Sequence, residues 1–133
     1  MCDVLVVDDE DTVRMVLVDM LEDEGLSVRD ATTVDEAIKA AQEPPGCAVL
    51  VTDVDLGAPG VDGFSLAESV RKYVPEVPVL FVSGRPWTLN GRATASNERA
   101  LAKPFGKAEL IAAVQALLEL RRQRHPDCPR ETT

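Results

Sequence analysis

Three consecutive acids, Asp8, Asp9 and Glu10, follow the apolar run Val4 to Val7, and another aspartate, Asp53, lies just beyond the run Ala48 to Val51. Carboxylates gathered at one place repel one another and hold protons more tightly unless a cation compensates. Oxygen-only ligands with room for water match Mg²⁺, which takes one or two carboxylates plus phosphate oxygens. No histidine or cysteine lies beside these acids to favour zinc. A solvated helix N-terminus would also explain Asp8-Asp9-Glu10, because acids there complement the helix dipole. A strand-end aspartate such as Asp53 can likewise merely cap the next turn. Lys103 and Ser83 favour the chemical reading. A lysine can balance the charge of a bound phosphoryl group, whose transfer depends on positioning and neutralisation more than on covalent help. Ser83 can hydrogen-bond the same group, and Gly84 beside it leaves space.

These residues share a site only if the chain folds so that the ends of separate strands meet. Val4 to Val7, Ala48 to Val51 and Val77 to Val82 are continuous apolar runs, the pattern of strands covered on both faces. Weaker strands are expected at Leu26 to Arg29 and Ala100 to Ala102. Between them, Val13, Val16, Leu17, Met20 and Leu21 follow helical spacing, with Gly25 placed to end that helix. Thr33 to Glu36 reads as a capping box opening a second helix, and Phe64 to Val74 as a third stopped by Pro75. Thr88 to Ser96 should be helical if the alternation continues, but it is poor in helix formers and contains Gly91. Ala108 to Arg122 makes a last amphipathic helix, with Leu110, Val114, Leu117 and Leu118 on one face.

Alternating strands and helices with short connections imply an α/β fold: a five-stranded parallel sheet, doubly wound with five helices. In such sheets ligands bind beyond the carboxyl ends of the strands. Asp8, Asp53, Ser83 and Lys103 all stand at such ends.

Composition sets the outer limits. With 133 residues and 45% hydrophobic content the chain can bury one core, expected to span residues 1–122, with residues 123–133 as a disordered tail. A formal charge of −9, from 23 acidic and 14 basic residues, argues against broad attraction to nucleic acid or an anionic membrane. The three cysteines, Cys2, Cys47 and Cys128, lack CxxC spacing, which argues against a disulfide framework or a zinc site and fits the cytoplasm. No apolar run approaches the roughly 20 residues that span a bilayer.

VLVVDDE, VLVTDVDLG, VLFVSG and LAKPF, in this order and spacing, resemble the receiver domains of two-component response regulators. The resemblance covers roughly residues 3 to 121 and implies a flavodoxin-like fold with strand order 2-1-3-4-5. It implies that Asp53 is the phosphoacceptor and that Asp8 and Asp9 arrange Mg²⁺. Asp55 would add a backbone carbonyl to the metal. Ser83 would be the switch hydroxyl, and Lys103 would contact the phosphoryl oxygens. Pro104 would follow a cis peptide that aims Lys103 into the site. The implied function is a single-domain regulator that takes a phosphoryl group from a sensor histidine kinase or histidine phosphotransfer protein. It would then signal to a downstream protein target as a monomer or weak dimer, acting as an enzyme only upon itself.

The sequence departs from the family pattern in places. Three residues before Lys103, where most receivers carry an aromatic, it has Ala100, which puts the usual aromatic coupling in doubt. Trp87 is a candidate to repack in its stead, although an ordinary loop aromatic explains it as well. The segment Leu56 to Gly63 is longer than the common form. Asp55 and Arg85 occupy the two positions that, in the family it resembles, tend to tune loss of the acyl phosphate; here they could meet as a pair across the entrance or stand as two solvated charges.

Two rivals remain open at this stage. Asp53-Val-Asp55 resembles the DxD motif of haloacid dehalogenase phosphatases, in which Asp53 would attack substrate and Asp55 act as general acid; that motif normally opens the first strand. Alternatively, the chain keeps the receiver fold as an adaptor indifferent to phosphorylation. His125 lacks the helical bundle of a phosphodonor, and Arg121, Arg122 and Arg124 are explained by the helix dipole as readily as by nucleic acid.

Overall fold

The computed structural model describes residues 2–42, 47–58, 61–75, 77–83, 97–103 and 105–124. Strand β1 (Cys2–Val7) leads into helix α1 (Asp11–Asp23), β2 (Val28–Ala31), α2 (Val34–Gln42) and β3 (Cys47–Asp53). A short hairpin, β4 (Asp55–Ala58) and β5 (Val61–Asp62), precedes α3 (Gly63–Arg71), β6 (Val79–Ser83), β7 (Glu98–Ala102) and α4 (Lys107–Arg124). The main sheet is parallel with order β2-β1-β3-β6-β7, which is 2-1-3-4-5 counted along its own strands. The expected flavodoxin-like topology is therefore present. Four helices occur among the described residues, and the fifth, expected at Thr88 to Ser96, falls outside them.

Why the inner strands β1, β3 and β6 carry apolar runs is visible in their alternation. Leu5, Val7, Leu50, Val79 and Phe81 face a core shared with α2 and α3. Val4, Val6, Val49, Val51, Leu80 and Val82 face the opposite core, shared with α1 and α4. Successive strand residues point to opposite faces, so the inner strands, covered on both sides, keep polar residues to their ends, while the edge strands β2 and β7 carry Arg29, Asp30 and Arg99.

Helix α1 buries Leu17 and Leu21, with Val13 and Met20 packed against the same core. Val16, expected on that face, is instead 45% exposed, and Val18 packs inward. The apolar stripe is thus rotated toward the Leu17–Leu21 edge. Gly25 ends the helix as expected, with φ of 84°. Its amide donates to the Glu22 carbonyl at 2.9 Å, and the Leu26 amide donates to Leu21 at 3.3 Å, completing a Schellman motif. That motif uses Leu26, so β2 begins at Val28 rather than at Leu26, and the Ser27 carbonyl accepts from the amides of Asp3 and Val4.

The cap of α2 is half of the expected box. Thr33 Oγ1 accepts from the Glu36 amide at 3.2 Å, but Glu36 Oε1 reaches the Thr32 amide rather than that of Thr33. Helix α3 ends at Arg71, short of the expected Val74, and residues up to Val74 continue as hydrogen-bonded turns before Pro75. Helix α4 buries Leu110, Ile111, Val114 and Leu117 and runs to Arg124, past the boundary expected at residue 122. The tail expected to follow falls outside the described residues beyond that point. The long segment after Asp53 is not plain loop: Asp55 pairs with Asp62 and Ala58 with Val61 in an antiparallel hairpin.

Candidate functional site

Four strand ends converge at the carboxyl edge of the sheet. Asp8 directly follows β1, Asp53 ends β3, Ser83 ends β6 and Lys103 follows β7. The register sets them side by side, since Val7 pairs with Thr52, Asp53 with Val82, and Ser83 with Ala102. One carboxylate oxygen each from Asp8, Asp9 and Asp53 lies within 4.8 Å of the other two. Lys103 Nζ stands 3.4 Å from Asp53 Oδ2 and 3.7 Å from Asp8 Oδ2.

Asp8 is fully buried and Asp53 nearly so, whereas Asp9 is exposed. Asp8 is fixed by its amide, which donates to the Ala31 carbonyl, and by Oδ1, which accepts from the Glu10 amide at 2.9 Å. Its other oxygen, Oδ2, has no hydrogen-bond partner among the described residues. Burial pushes the Asp8 carboxyl above its ordinary value, against the lowering effects of the Glu10 amide and of Lys103. A bound cation would satisfy that oxygen, and three ionised carboxylates against one ammonium would leave the cradle negative. The donor set is hard oxygen throughout and fits Mg²⁺.

The backbone beneath Asp53 is held tightly. The Val54 amide donates to Val82 at 2.9 Å, and Thr52 Oγ1 donates to the Asp53 carbonyl at 2.9 Å. Gly63, the first residue of α3, donates its amide to Val54 at 2.8 Å. A Cβ on Gly63 would stand 2.5 Å from the Asp53 carbonyl oxygen, so glycine is required by close approach. Asp62 caps α3 by accepting from the Ser65 amide at 2.8 Å, while its own amide donates to Ser65 Oγ at 3.3 Å. Lys103 is placed by its amide, which donates to the Ser83 carbonyl at 2.8 Å, one step beyond the β6–β7 ladder.

The sequence-derived residues Asp8, Asp9, Asp53, Ser83 and Lys103 are thus at one edge, and Asp55 opens β4 nearby in sequence. Ala100 lies on β7 beside Phe81 and is exposed. Gly84, Arg85, Trp87 and Pro104 lie outside the described residues. Sequence reasoning missed Gly63, whose role is a backbone contact across the fold. It also missed Arg14, whose guanidinium reaches the Asp8 carbonyl from within α1. The signal for Arg14 was its place in the turn between Val13 and Leu17, beside the buried face.

A five-stranded parallel sheet of this order with an acidic cradle and a lysine at its carboxyl edge defines a receiver domain. The chain belongs to the response regulator receiver domain family, whose model matches residues 4–115. The transcriptional regulatory protein CssR of Bacillus subtilis is 33% identical over 120 residues, covering 88% of this chain and 51% of CssR. The sensor kinase CckA of Brucella abortus is 34% identical over 119 residues, 87% of this chain and 12% of that protein. A receiver protein from Sinorhizobium medicae superposes with a TM-score of 0.76 at 30% identity, covering 90% of this chain and 96% of that one. The chain spans about half the length of CssR and a smaller share of CckA. Receiver domains act in two-component signalling, where they bind Mg²⁺ at an acidic pocket and interact with histidine kinases. Among the described residues no helix is long and apolar enough to cross a membrane.

Proposed function

We propose that this chain accepts a phosphoryl group on Asp53 from a phosphohistidine of a sensor kinase or phosphotransfer protein, and signals to a protein target in the cytoplasm. The observation that carries the reading is the convergence of Asp8, Asp9 and Asp53 within 4.8 Å, with Lys103 Nζ 3.4 Å from Asp53. Asp8, Asp9 and Asp53 would hold Mg²⁺, with the Asp55 carbonyl as a further ligand. When bound, the ion supplies positive charge for the phosphoryl oxygens.

The Asp53 carboxylate attacks phosphorus in line. A P–O bond to Asp53 forms as the donor's P–N bond breaks, and the imidazole nitrogen leaves with the electron pair. Lys103 takes up charge on the transferring group, and the buried hydroxyl of Ser83 is the switch group drawn toward it. Water later cleaves the acyl phosphate, returning the carboxylate and inorganic phosphate. Gly84, Arg85, Trp87, Ala100 and Pro104 are the switch and modulating positions in this reading.

Family membership and the position of Asp53, at the end of the third strand rather than the first, favour this reading over a haloacid dehalogenase phosphatase. The intact cradle also weighs against a phosphorylation-independent adaptor. The test is incubation with Mg²⁺ and a small-molecule phosphodonor, followed by intact mass on wild type and Asp53→Ala. One phosphoryl group on wild type and none on the variant is expected. Equal modification of both, or multiple turnover of a phosphomonoester, would overturn it.

A further inference from the structure

Arg14 sits on the first turn of α1 with its side chain 13% exposed, and its guanidinium ties that helix to β2 and to the residue after β1. Nε lies 2.9 Å from Asp30 Oδ2 on β2, and Nη2 lies 2.8 Å from Asp11 Oδ1 on α1. The remaining arm, Nη1, donates to the backbone carbonyl of Asp8 at 3.1 Å. The two carboxylates orient the planar fork so that its third arm meets that carbonyl.

The carbonyl matters because it belongs to the peptide unit that joins the two acids. A peptide unit is planar, so fixing the Asp8 carbonyl also fixes the nitrogen and Cα of Asp9. Asp8 is already held at its amide and at Oδ1. Asp9 is exposed, and its carboxylate lies within 4.8 Å of those of Asp8 and Asp53.

We propose that Arg14 is a positioning residue for the cation cradle, setting the Asp8–Asp9 peptide plane so that the Asp9 carboxylate stands beside those of Asp8 and Asp53. The inference rests on the Mg²⁺ reading of the site given above. It also predicts a sign that a simple charge effect would reverse. A guanidinium near the cradle repels a divalent cation, so losing its charge alone would tighten binding. Losing its positioning weakens binding instead. Lysine at this place keeps the charge but cannot span the same partners with a fork.

The experiment is Mg²⁺ titration by calorimetry on wild type, Arg14→Lys, Arg14→Met, Asp30→Asn and Asp8→Asn, with amide NMR following the Asp9 resonance and thermal unfolding reporting the fold. Both Arg14 variants should weaken Mg²⁺ binding by about tenfold or more, the scale on which groups that orient metal ligands act. Asp30→Asn should weaken it less, and the Asp9 amide should shift in all three. A folded Arg14→Lys protein with unchanged or tighter binding overturns the inference, even where Asp8→Asn abolishes binding and upholds the cradle. Should Arg14→Met not fold, Arg14→Lys and Asp30→Asn decide. Wild type that binds no Mg²⁺ overturns the cradle reading and this inference with it.

Discussion

Gly63 packs directly on the carbonyl of Asp53, leaving no room for a Cβ, which would stand 2.5 Å from that oxygen and 3.1 Å from Thr52 Cγ2. The nearer neighbour is backbone at the end of a buried strand, so relief requires backbone movement at Asp53 itself. Gly63→Ala should therefore cost about 1–3 kcal/mol of stability, the usual scale of overpacking. It should also slow phosphoryl acceptance more than a surface change of equal stability cost. Denaturant unfolding together with intact-mass kinetics measures both. A variant that matches wild type in the two would show that α3 can shift without disturbing Asp53.

Asp8 gives a pH dependence with a definite sign. Burial raises its folded pKa above the ordinary 3.8, so its ionised form is the one that the fold disfavours. In the metal-free protein its stability contribution is fully present below the unfolded value and is lost as pH rises through the higher folded value. Asp8→Asn should accordingly make the metal-free protein more stable at neutral pH and remove this part of the pH profile. Thermal unfolding from acid to neutral pH, with and without Mg²⁺, checks it. Lower metal-free stability in Asp8→Asn at neutral pH would contradict this account.

Much of this arrangement was legible in the chain before any coordinates. The runs Val4 to Val7, Ala48 to Val51 and Val77 to Val82 are apolar because both faces of β1, β3 and β6 are covered, and their ends mark where Asp8, Asp53 and Ser83 emerge. Gly25 stops α1 as its left-handed backbone demands. What was not legible is long-range. The contact of Gly63 with Asp53 and the reach of Arg14 to the Asp8 carbonyl leave no periodic trace. The start of β2 was displaced because Leu26 closes the Schellman motif, which local apolarity cannot reveal. The hairpin after Asp53 carries little strand signal in the sequence, since Asp55 to Asp62 offers few residues with strand preference.

Phe81 lies at the centre of the core between the sheet and α3, 2% exposed, with its ring centroid 4.6 Å from that of Phe64. Phe81→Ala should cost about 3–5 kcal/mol, whereas Phe81→Leu should cost much less because volume is largely retained. Denaturant unfolding of the two variants measures the difference. Equal losses would mean that the aromatic pair, rather than filled volume, holds this part of the core.

Lys103 makes opposite demands on the two partners of the site, and its removal should separate them. Its amide is anchored to the Ser83 carbonyl, and its Nζ stands 3.4 Å from Asp53 and 3.7 Å from Asp8. A positive charge there competes with a divalent cation for the same carboxylates, so Lys103→Met should bind Mg²⁺ severalfold more tightly. In the proposed phosphotransfer the same charge would neutralise the transferring group, so acceptance by Asp53 should fall by about a hundredfold, the scale set by removing one such stabilising group. Calorimetry and intact-mass kinetics on one preparation read the two effects together. Weaker Mg²⁺ binding in Lys103→Met would mean that the lysine shapes the cradle instead of competing for it. Unchanged acceptance would remove Lys103 from the phosphoryl chemistry altogether.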